Sequence, residues 1–344
     1  MDRGSGDALT AGFGSSDAGD PARYRPETGC AASAERRGDL LLASAPPAER
    51  WLLIETNRPW PRVALEALQY SSALADDQPV TAQGVPTDGG RPRVRAAGLG
   101  AEVARLCAEL RCRPVLIRRH GRTDRDLPRR WALIDSRPGS ESIRWGELPT
   151  DEHVLKVLAG TDPGTPSTEP IYLVCTHGRH DACCAVRGRP VASALAAAYP
   201  ERTWESSHVG GDRFAPNVVL LPHSLYYGHV TPPGAVAIAN AYDKGEVVPK
   251  SFRGSGALPP HVQAAQHFAR AAGHPTTLDS LRPSAVVPLA GSRWSIKLTT
   301  DMTELEVEVE SHQITIDGQM TCAAQPPGVV RQFTLNSPVP TPKN

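Results

Sequence analysis

The sequence lacks an excess of charge, a long apolar run and an export signal. Its 344 residues carry 37 acidic and 37 basic side chains, so the overall charge does not predict binding to nucleic acid or to an anionic membrane. No apolar stretch approaches the roughly 20 residues that a membrane-spanning helix needs. The N-terminus is polar, without the charged start and apolar run of a secretory signal. We therefore expect a cytoplasmic protein with no membrane and no nucleic-acid partner.

Cysteine is present, but neither in an even number nor in the C-x-x-C spacing with which thioredoxin-type enzymes exchange disulfides. The seven cysteines are Cys30, Cys107, Cys112, Cys175, Cys183, Cys184 and Cys322. In a reducing compartment such a set favours metal or redox chemistry over a disulfide framework. A thiol redox enzyme is the least favoured of the functions considered, because the two-thiol spacing is absent.

The hydrophobic pattern predicts two α/β blocks followed by a small sheet. WLLIET, AEVARLCAEL, PVLIRR and RRWALIDS predict a strand, a helix and two strands. A second block, from IYLVCT to GAVAIANAYDKG, predicts the order β-α-β-β-α, which is typical of a thioredoxin-like layer of helices on a mixed sheet. Alternation of apolar and polar residues around Trp294 and Val307 predicts antiparallel strands.

These patterns predict domain boundaries and two local features. The boundaries are a disordered tail over 1–27, an N-terminal α/β (thioredoxin-like) domain over 28–160, a second such domain over 165–250, a helix plus small sheet over 255–335 and a tail over 336–344. Residues 74–95 are predicted to be a loop. Pro190 is predicted to lie near the first turn of a helix over 191–199.

Potential metal ligands are concentrated directly after a predicted strand. The segment CTHGRHDACC contains Cys175, His177, His180, Cys183 and Cys184. Loops at strand ends present ligands from a rigid scaffold. The later segment SSHVGGDRF adds His208 and Asp212 on either side of two glycines, which allow close approach of the backbone to a bulky group. Two thiolates and an imidazole suit iron or zinc.

At these residues the sequence resembles the sucrase/ferredoxin-like family. The family motif C-x-H-x3-D-x2-C is followed by H-x-G-G-H-[KR]-F-A-x-N. The matching residues are Cys175, His177, Asp181 and Cys184, then His208, Gly210, Gly211, Arg213, Phe214, Ala215 and Asn217. The flanking segments LVCTHGRHDACCAVRGRPVA and NVVLLPHSLYYGHV, together with WLLIE and RRWALID in the first block, extend the likeness over roughly residues 28–250.

The resemblance implies that the second thioredoxin-like domain is a ferredoxin domain with a [2Fe–2S] cluster held by two cysteines and two histidines. By position, the thiolates are Cys175 and Cys184 and the first imidazole is His208. The second histidine of the family falls on Asp212, whose carboxylate is a harder ligand. Asp212, Cys183, His177 and His180 are therefore all candidates for the fourth ligand, and Asp212 can also be an outer group that orients a ligating imidazole.

The function implied is electron transfer to or from an unidentified redox partner protein, by a carrier rather than a catalyst. The alternative is a zinc-stabilised or metal-free interaction protein, in which the same cysteines and histidines close a structural site. The sequence shows no paired carboxylates with the two-acid arrangement of glycoside hydrolysis.

Overall fold

The structure, a computed structural model, describes residues 24–71, 98–121, 127–300 and 304–342. Residues 1–23 of the predicted tail, and the predicted loop over 74–95, lie outside these ranges. The helices are α1 (Cys30–Arg37), α2 (Leu99–Glu109), α3 (His153–Leu158), α4 (Ala182–Ala198), α5 (Pro232–Asp243) and α6 (Pro260–Ala271). Within the described part of the chain, no helix combines the length and apolar character needed to cross a bilayer.

Two sheets contain the strands of the described residues. The first is formed by β1 (Arg50–Glu55), β2 (Cys112–Arg118), β3 (Arg130–Asp135), β4 (Ser142–Glu147), β5 (Thr165–Ser167), β6 (Ile171–Cys175), β7 (Thr203–Ser206), β8 (Val218–Leu221), β9 (Leu225–Tyr227) and β10 (Phe252–Ser255). The second is formed by β11 (Arg282–Pro288), β12 (Arg293–Thr299), β13 (Glu304–Ile316) and β14 (Gly328–Leu335). This confirms a mixed α/β protein with a separate antiparallel sheet.

The large sheet has the strand order β10-β9-β8-β6-β7-β2-β1-β3-β4-β5. It contains two parallel pairs, β1 with β2 and β6 with β7, each joined by a connection that contains a helix, α2 or α4. β2 and β7 pair antiparallel, with Ile117 opposite Ser206 and Arg118 opposite Glu205. The strands of the two predicted α/β domains are therefore hydrogen-bonded into one sheet. Their description as tandem thioredoxin-like domains stays a prediction.

The continuous apolar runs follow from burial of both sheet faces. In β1, Trp51 and Leu53 enter one core cluster while Leu52 and Ile54 enter another. Successive side chains of a strand point to opposite faces, so a strand covered on both sides is apolar at every position. In the second sheet, Ile296, Leu298, Val307 and Val309 share a core with α6, which agrees with the predicted alternation.

Helix α4 corrects the prediction for Pro190. The helix begins at Ala182, and Pro190 lies inside it. The physical reason is an earlier N-cap: the Asp181 side chain accepts a hydrogen bond from the Cys183 N–H at 2.8 Å, as capping aspartates do. Because the helix starts there, Cys183 and Cys184 lie in its first turn, where the helix dipole favours negative charge.

Candidate metal centre

Two buried cysteines meet at the end of β6. Cys175 is the last residue of this strand and Cys184 lies in the first turn of α4, and both are fully buried. Gly188, one turn further along α4, has no side chain, and a Cβ there would collide with the Cys175 carbonyl oxygen. The helix can therefore approach the strand end closely. As a result, the two sulfur atoms and a ring nitrogen of His208 all lie within 4.8 Å of one another.

A glycine turn brings His208 and Asp212 together. His208 follows β7, and Gly210 and Gly211 then adopt φ angles of 99° and 88°, a left-handed conformation that glycine adopts without strain. Asp212 begins the short 3-10 helix that follows. Its carboxylate lies 3.0 Å from the His208 Nδ1 and 3.2 Å from the Cys184 Sγ. The turn thus adds a carboxylate to the thiols and the imidazole.

The glycine turn is fixed by Arg253, which is 2% exposed. Its guanidinium donates to the Gly210 carbonyl at 2.9 Å and to the Asn217 Oδ1 at 2.7 Å. Asn217 in turn donates through Nδ2 to the Gly211 carbonyl at 2.8 Å. Both carbonyls of the turn are therefore held by side chains that do not contact the thiols themselves.

The two histidines of the first segment have different environments. His177 accepts the His208 backbone N–H at Nδ1 over 3.3 Å, while its Nε2 lies 2.7 Å from the Pro61 carbonyl. Both ring nitrogens are thus engaged with the backbone. His180 instead stacks on His208, with 3.7 Å between ring centroids, and its Nε2 lies 3.5 Å from the Asp212 carboxylate. Of the two, His180 is the residue whose ring contacts the side chains of His208 and Asp212.

The thiols, imidazole and carboxylate of the cluster shift one another's pKa values. A hydrogen bond from the Cys184 thiol lowers the pKa of Cys175 well below its usual value, and the same pairing raises the pKa of Cys184. Burial lowers the pKa of His208, but Asp212 and Cys175 outweigh burial and raise it to about 9. Burial also opposes ionisation of Asp212, yet contacts with His180 and His208 hold its pKa below the usual range. The cluster therefore places two thiols and a carboxylate next to imidazole.

Cys183 points away from this cluster, although it is adjacent to Cys184. Its sulfur lies 3.7 Å from that of Cys30 and 3.4 Å from that of Cys322. Cys30 and Cys322 are 153 and 139 positions away from Cys183, so no local sequence pattern connects them. The only sequence signal was the number of unassigned cysteines.

Four arginines lie within or just after the two segments. Their environments in the structure differ. Arg187 pairs with Glu35 at 2.9 Å and Arg213 pairs with Asp39 at 3.1 Å, so both attach the site to the segment around α1. Arg179 and Arg189 are exposed. These two leave positive charge on the surface near the site.

The donor atoms fit a thiophilic metal centre. Cys175, Cys184 and His208 supply two sulfurs and a nitrogen, and Asp212 supplies a carboxylate in contact with two of them. Sulfur with imidazole is the combination that iron–sulfur centres and zinc accept. The residues of the predicted ligand set are thus together, in a buried site with one edge near solvent.

The thiols and imidazole gathered at the end of β6 form a candidate metal site in a mixed α/β protein. The chain matches the family model described as sucrase/ferredoxin-like over residues 41–254. Because the match covers more than half of the 344 residues, the protein belongs to the sucrase/ferredoxin-like family. No curated protein and no solved structure gives a significant match.

Proposed function

We propose that the protein is an electron carrier with a [2Fe–2S] cluster held by Cys175, Cys184, His208 and Asp212. The observation that carries this proposal is the convergence of two fully buried cysteines with a partly exposed histidine at the end of β6. When bound, such a cluster supplies one-electron redox chemistry, tuned by its ligands and by hydrogen bonds to its sulfurs.

The exposed edge of the site is the proposed route for electrons. The His208 side chain is 23% exposed and that of His180 is 29% exposed, whereas both cysteines are fully buried. A redox partner would therefore approach the imidazole side. Because Arg179 is exposed between His177 and His180 in the same loop, an acidic face on that partner would complement the site and speed its encounter.

Asp212 is the proposed fourth ligand. It is 3% exposed and its carboxylate already contacts both His208 and Cys184. A carboxylate in place of a second neutral imidazole would add one negative charge to the ligand set. His180 is the next candidate, since its Nε2 is the other imidazole nitrogen near the Asp212 carboxylate.

The two thioredoxin-like units are part of this proposal. The first half has the strand order β2-β1-β3-β4 and the second half has β7-β6-β8-β9. In each half the first two strands in sequence are parallel and the third pairs antiparallel with the first. The matching order supports a repeated unit, of which only the second carries the proposed cluster. The free cysteines of the described residues also support a reducing compartment such as the cytoplasm.

A zinc-stabilised protein is the second candidate. The three donors of Cys175, Cys184 and His208 lie within 4.8 Å of one another, a grouping that a single tetrahedral Zn²⁺ also accepts. In that case the site would be structural and the protein would serve as an interaction module.

The test is the metal content and colour of anaerobically purified protein. We expect a brown protein with about two iron and two acid-labile sulfide ions per chain. Cys175→Ser and Cys184→Ser should remove both iron and sulfide. The matched control is Cys183→Ser, which changes the adjacent residue and should retain both. A colourless protein without labile sulfide would exclude the iron–sulfur cluster.

A further inference from the structure

A second group of cysteines lies apart from the proposed cluster. Cys30 opens α1, Cys183 lies in the first turn of α4 and Cys322 lies between β13 and β14. The three Sγ atoms are separated by 3.7 Å (Cys30 to Cys183), 3.4 Å (Cys183 to Cys322) and 3.6 Å (Cys322 to Cys30). Three thiols from distant parts of the sequence thus form a compact triangle.

The triangle has the size of one face of a tetrahedral metal site. Thiolates bound to Zn²⁺ at about 2.3 Å lie about 3.8 Å apart, close to the separations found here. A disulfide would use only two of the three sulfurs. A fourth donor is present as well, because the Asp181 carboxylate lies 3.7 Å from the Cys30 Sγ and within 4.8 Å of the other sulfurs.

The N-terminal end of α1 lies at this group of sulfurs. Cys30 is the first residue of α1, and its Sγ lies beside those of Cys183 and Cys322. The first N–H groups of a helix have no partner inside it, and the helix dipole favours negative charge at this end. Such an environment stabilises negative sulfur, as required of metal-bound thiolates.

Asp181 and Gly29 hold the group together. Asp181 accepts the Cys183 N–H at 2.8 Å and the Cys322 N–H at 2.6 Å, so one carboxylate orients the backbone of two of the cysteines. Gly29 precedes α1, and a Cβ at this position would lie only 2.6 Å from the Cys183 Sγ. The local sequence therefore leaves room for three sulfurs and supplies their surrounding contacts.

We propose that Cys30, Cys183 and Cys322, with Asp181 as the fourth donor, bind one structural Zn²⁺ ion. Zinc is favoured because it has no redox chemistry, accepts thiolates and carboxylate in a closed tetrahedral site, and contributes to folding when its ligands come from separate segments. This proposal does not depend on iron at Cys175 and Cys184.

The role of the zinc ion would be to join three segments. It would attach α1 and the β13–β14 connection to the start of α4, the helix whose next residue is Cys184. α1 also packs on the 3-10 helix that begins with Asp212. Loss of zinc should therefore loosen the second sheet and α1 before it affects the large sheet.

The experiment measures zinc, iron and labile sulfide in the full chain, together with the melting temperature before and after chelation. We expect about one Zn²⁺ per chain in addition to any iron. Cys322→Ser, at a partly exposed position, should lose this zinc, lower the melting temperature and abolish the effect of chelator. Cys30→Ser should do the same. Cys107→Ser, which removes a buried thiol of another core cluster, should keep the zinc.

Two further comparisons between variants distinguish this zinc site from the site at Cys175 and Cys184. Replacement of zinc by Co²⁺ should give the intense visible absorption of tetrahedral thiolate-bound cobalt, absent in Cys322→Ser but present in Cys184→Ser. Zinc that is lost in Cys175→Ser and kept in Cys322→Ser would belong to the other site and would overturn the proposal. A zinc-free protein, or one with a Cys183–Cys322 disulfide, would overturn it as well. Neither result would bear on whether iron binds at Cys175.

Discussion

The two halves of the large sheet have matching strand orders but different groups at equivalent strand ends. β6 ends at Cys175, beside Cys184 and His208. β1, its counterpart in the first half, ends at Glu55, which is also buried but accepts the Arg130 backbone N–H at 2.9 Å. The same framework thus ends on one side in a thiol grouped with other potential metal ligands and on the other in a carboxylate that accepts a backbone hydrogen bond. Chemistry here depends on the strand-end residues rather than on the fold.

The first half nevertheless forms one wall of the proposed centre. The Pro61 carbonyl is the partner of His177 at 2.7 Å, and the edge of the Trp60 ring packs against the same imidazole, 5.7 Å between centroids. The Arg118 guanidinium lies over Trp60 at 4.2 Å. The halves therefore differ in their side chains: one carries the candidate donors, while the other contacts His177 beside them.

The largest expected difference between the halves concerns their histidines. His208→Ala should lower iron content about tenfold or more, since even loss of outer contacts costs about 10–100-fold in metal affinity. His153→Ala, in the first half, breaks a 2.7 Å contact with Asp162 and should leave iron content unchanged. Iron content would be measured by elemental analysis. Equal iron loss in both variants would contradict the expectation that only the second half of the sheet holds iron.

The next largest effect is expected at Arg253. Arg253→Met leaves the Gly210 carbonyl and the Asn217 side chain without their buried donor, which should lower the free energy of unfolding by about 3–4 kcal/mol. Iron should be lost at temperatures where the protein remains folded, because the turn carries His208 and Asp212. Arg270→Met removes a partly buried guanidinium that does not hold the turn, and it should retain iron. Urea unfolding and iron analysis provide the two readings.

A smaller effect is expected at Asp151 in the first half. Burial raises the pKa of this carboxyl, but hydrogen bonds from Arg129, the Gln69 N–H and Arg58 lower its pKa below the usual value overall. Its stabilising contribution is therefore present above the unfolded-state pKa of about 4 and is lost as pH falls further. Asp151→Asn should cost about 2 kcal/mol near neutrality and less below about pH 4, without iron loss. A pH-independent cost in urea unfolding would contradict this assignment.

The smallest effect is expected when Asp212 is replaced by the residue of the family motif. Asp212→His should retain iron and sulfide while shifting the visible spectrum, because one ligand changes from carboxylate to imidazole. Asp212→Ala should release iron. A spectrum identical in wild type and Asp212→His would mean that residue 212 is not a ligand, and His180 would take its place.

The sequence predicted the parts of the site that follow local rules. Apolar runs identified the strands, and the resemblance to the sucrase/ferredoxin-like family implied that Cys175, Cys184, His208 and Asp212 are neighbours, which agrees with the structure. Helix α4 begins earlier than the position of Pro190 predicts, because the Asp181 side chain caps it. A helix cap and a proline are both start signals, and local sequence does not rank them.

Other features depend on contacts between distant residues. The pairing of β2 with β7 joins the halves through only two residue pairs, which no hydrophobic pattern specifies. Arg253 fixes the Gly210–Gly211 turn from a strand at the far edge of the sheet. Cys30 and Cys322 reach Cys183 from the two ends of the described chain. Such contacts come from tertiary packing, and periodicity does not reveal them.

The most direct test of the central claim is the Mössbauer spectrum of protein grown with ⁵⁷Fe. A [2Fe–2S] cluster held by Cys175, Cys184, His208 and Asp212 would have unlike ligands on its two irons, and the irons would therefore be inequivalent. The account predicts two distinct doublets of equal area in the oxidised protein, both absent from Cys184→Ser. A single doublet, or no iron signal in folded wild-type protein, would contradict it.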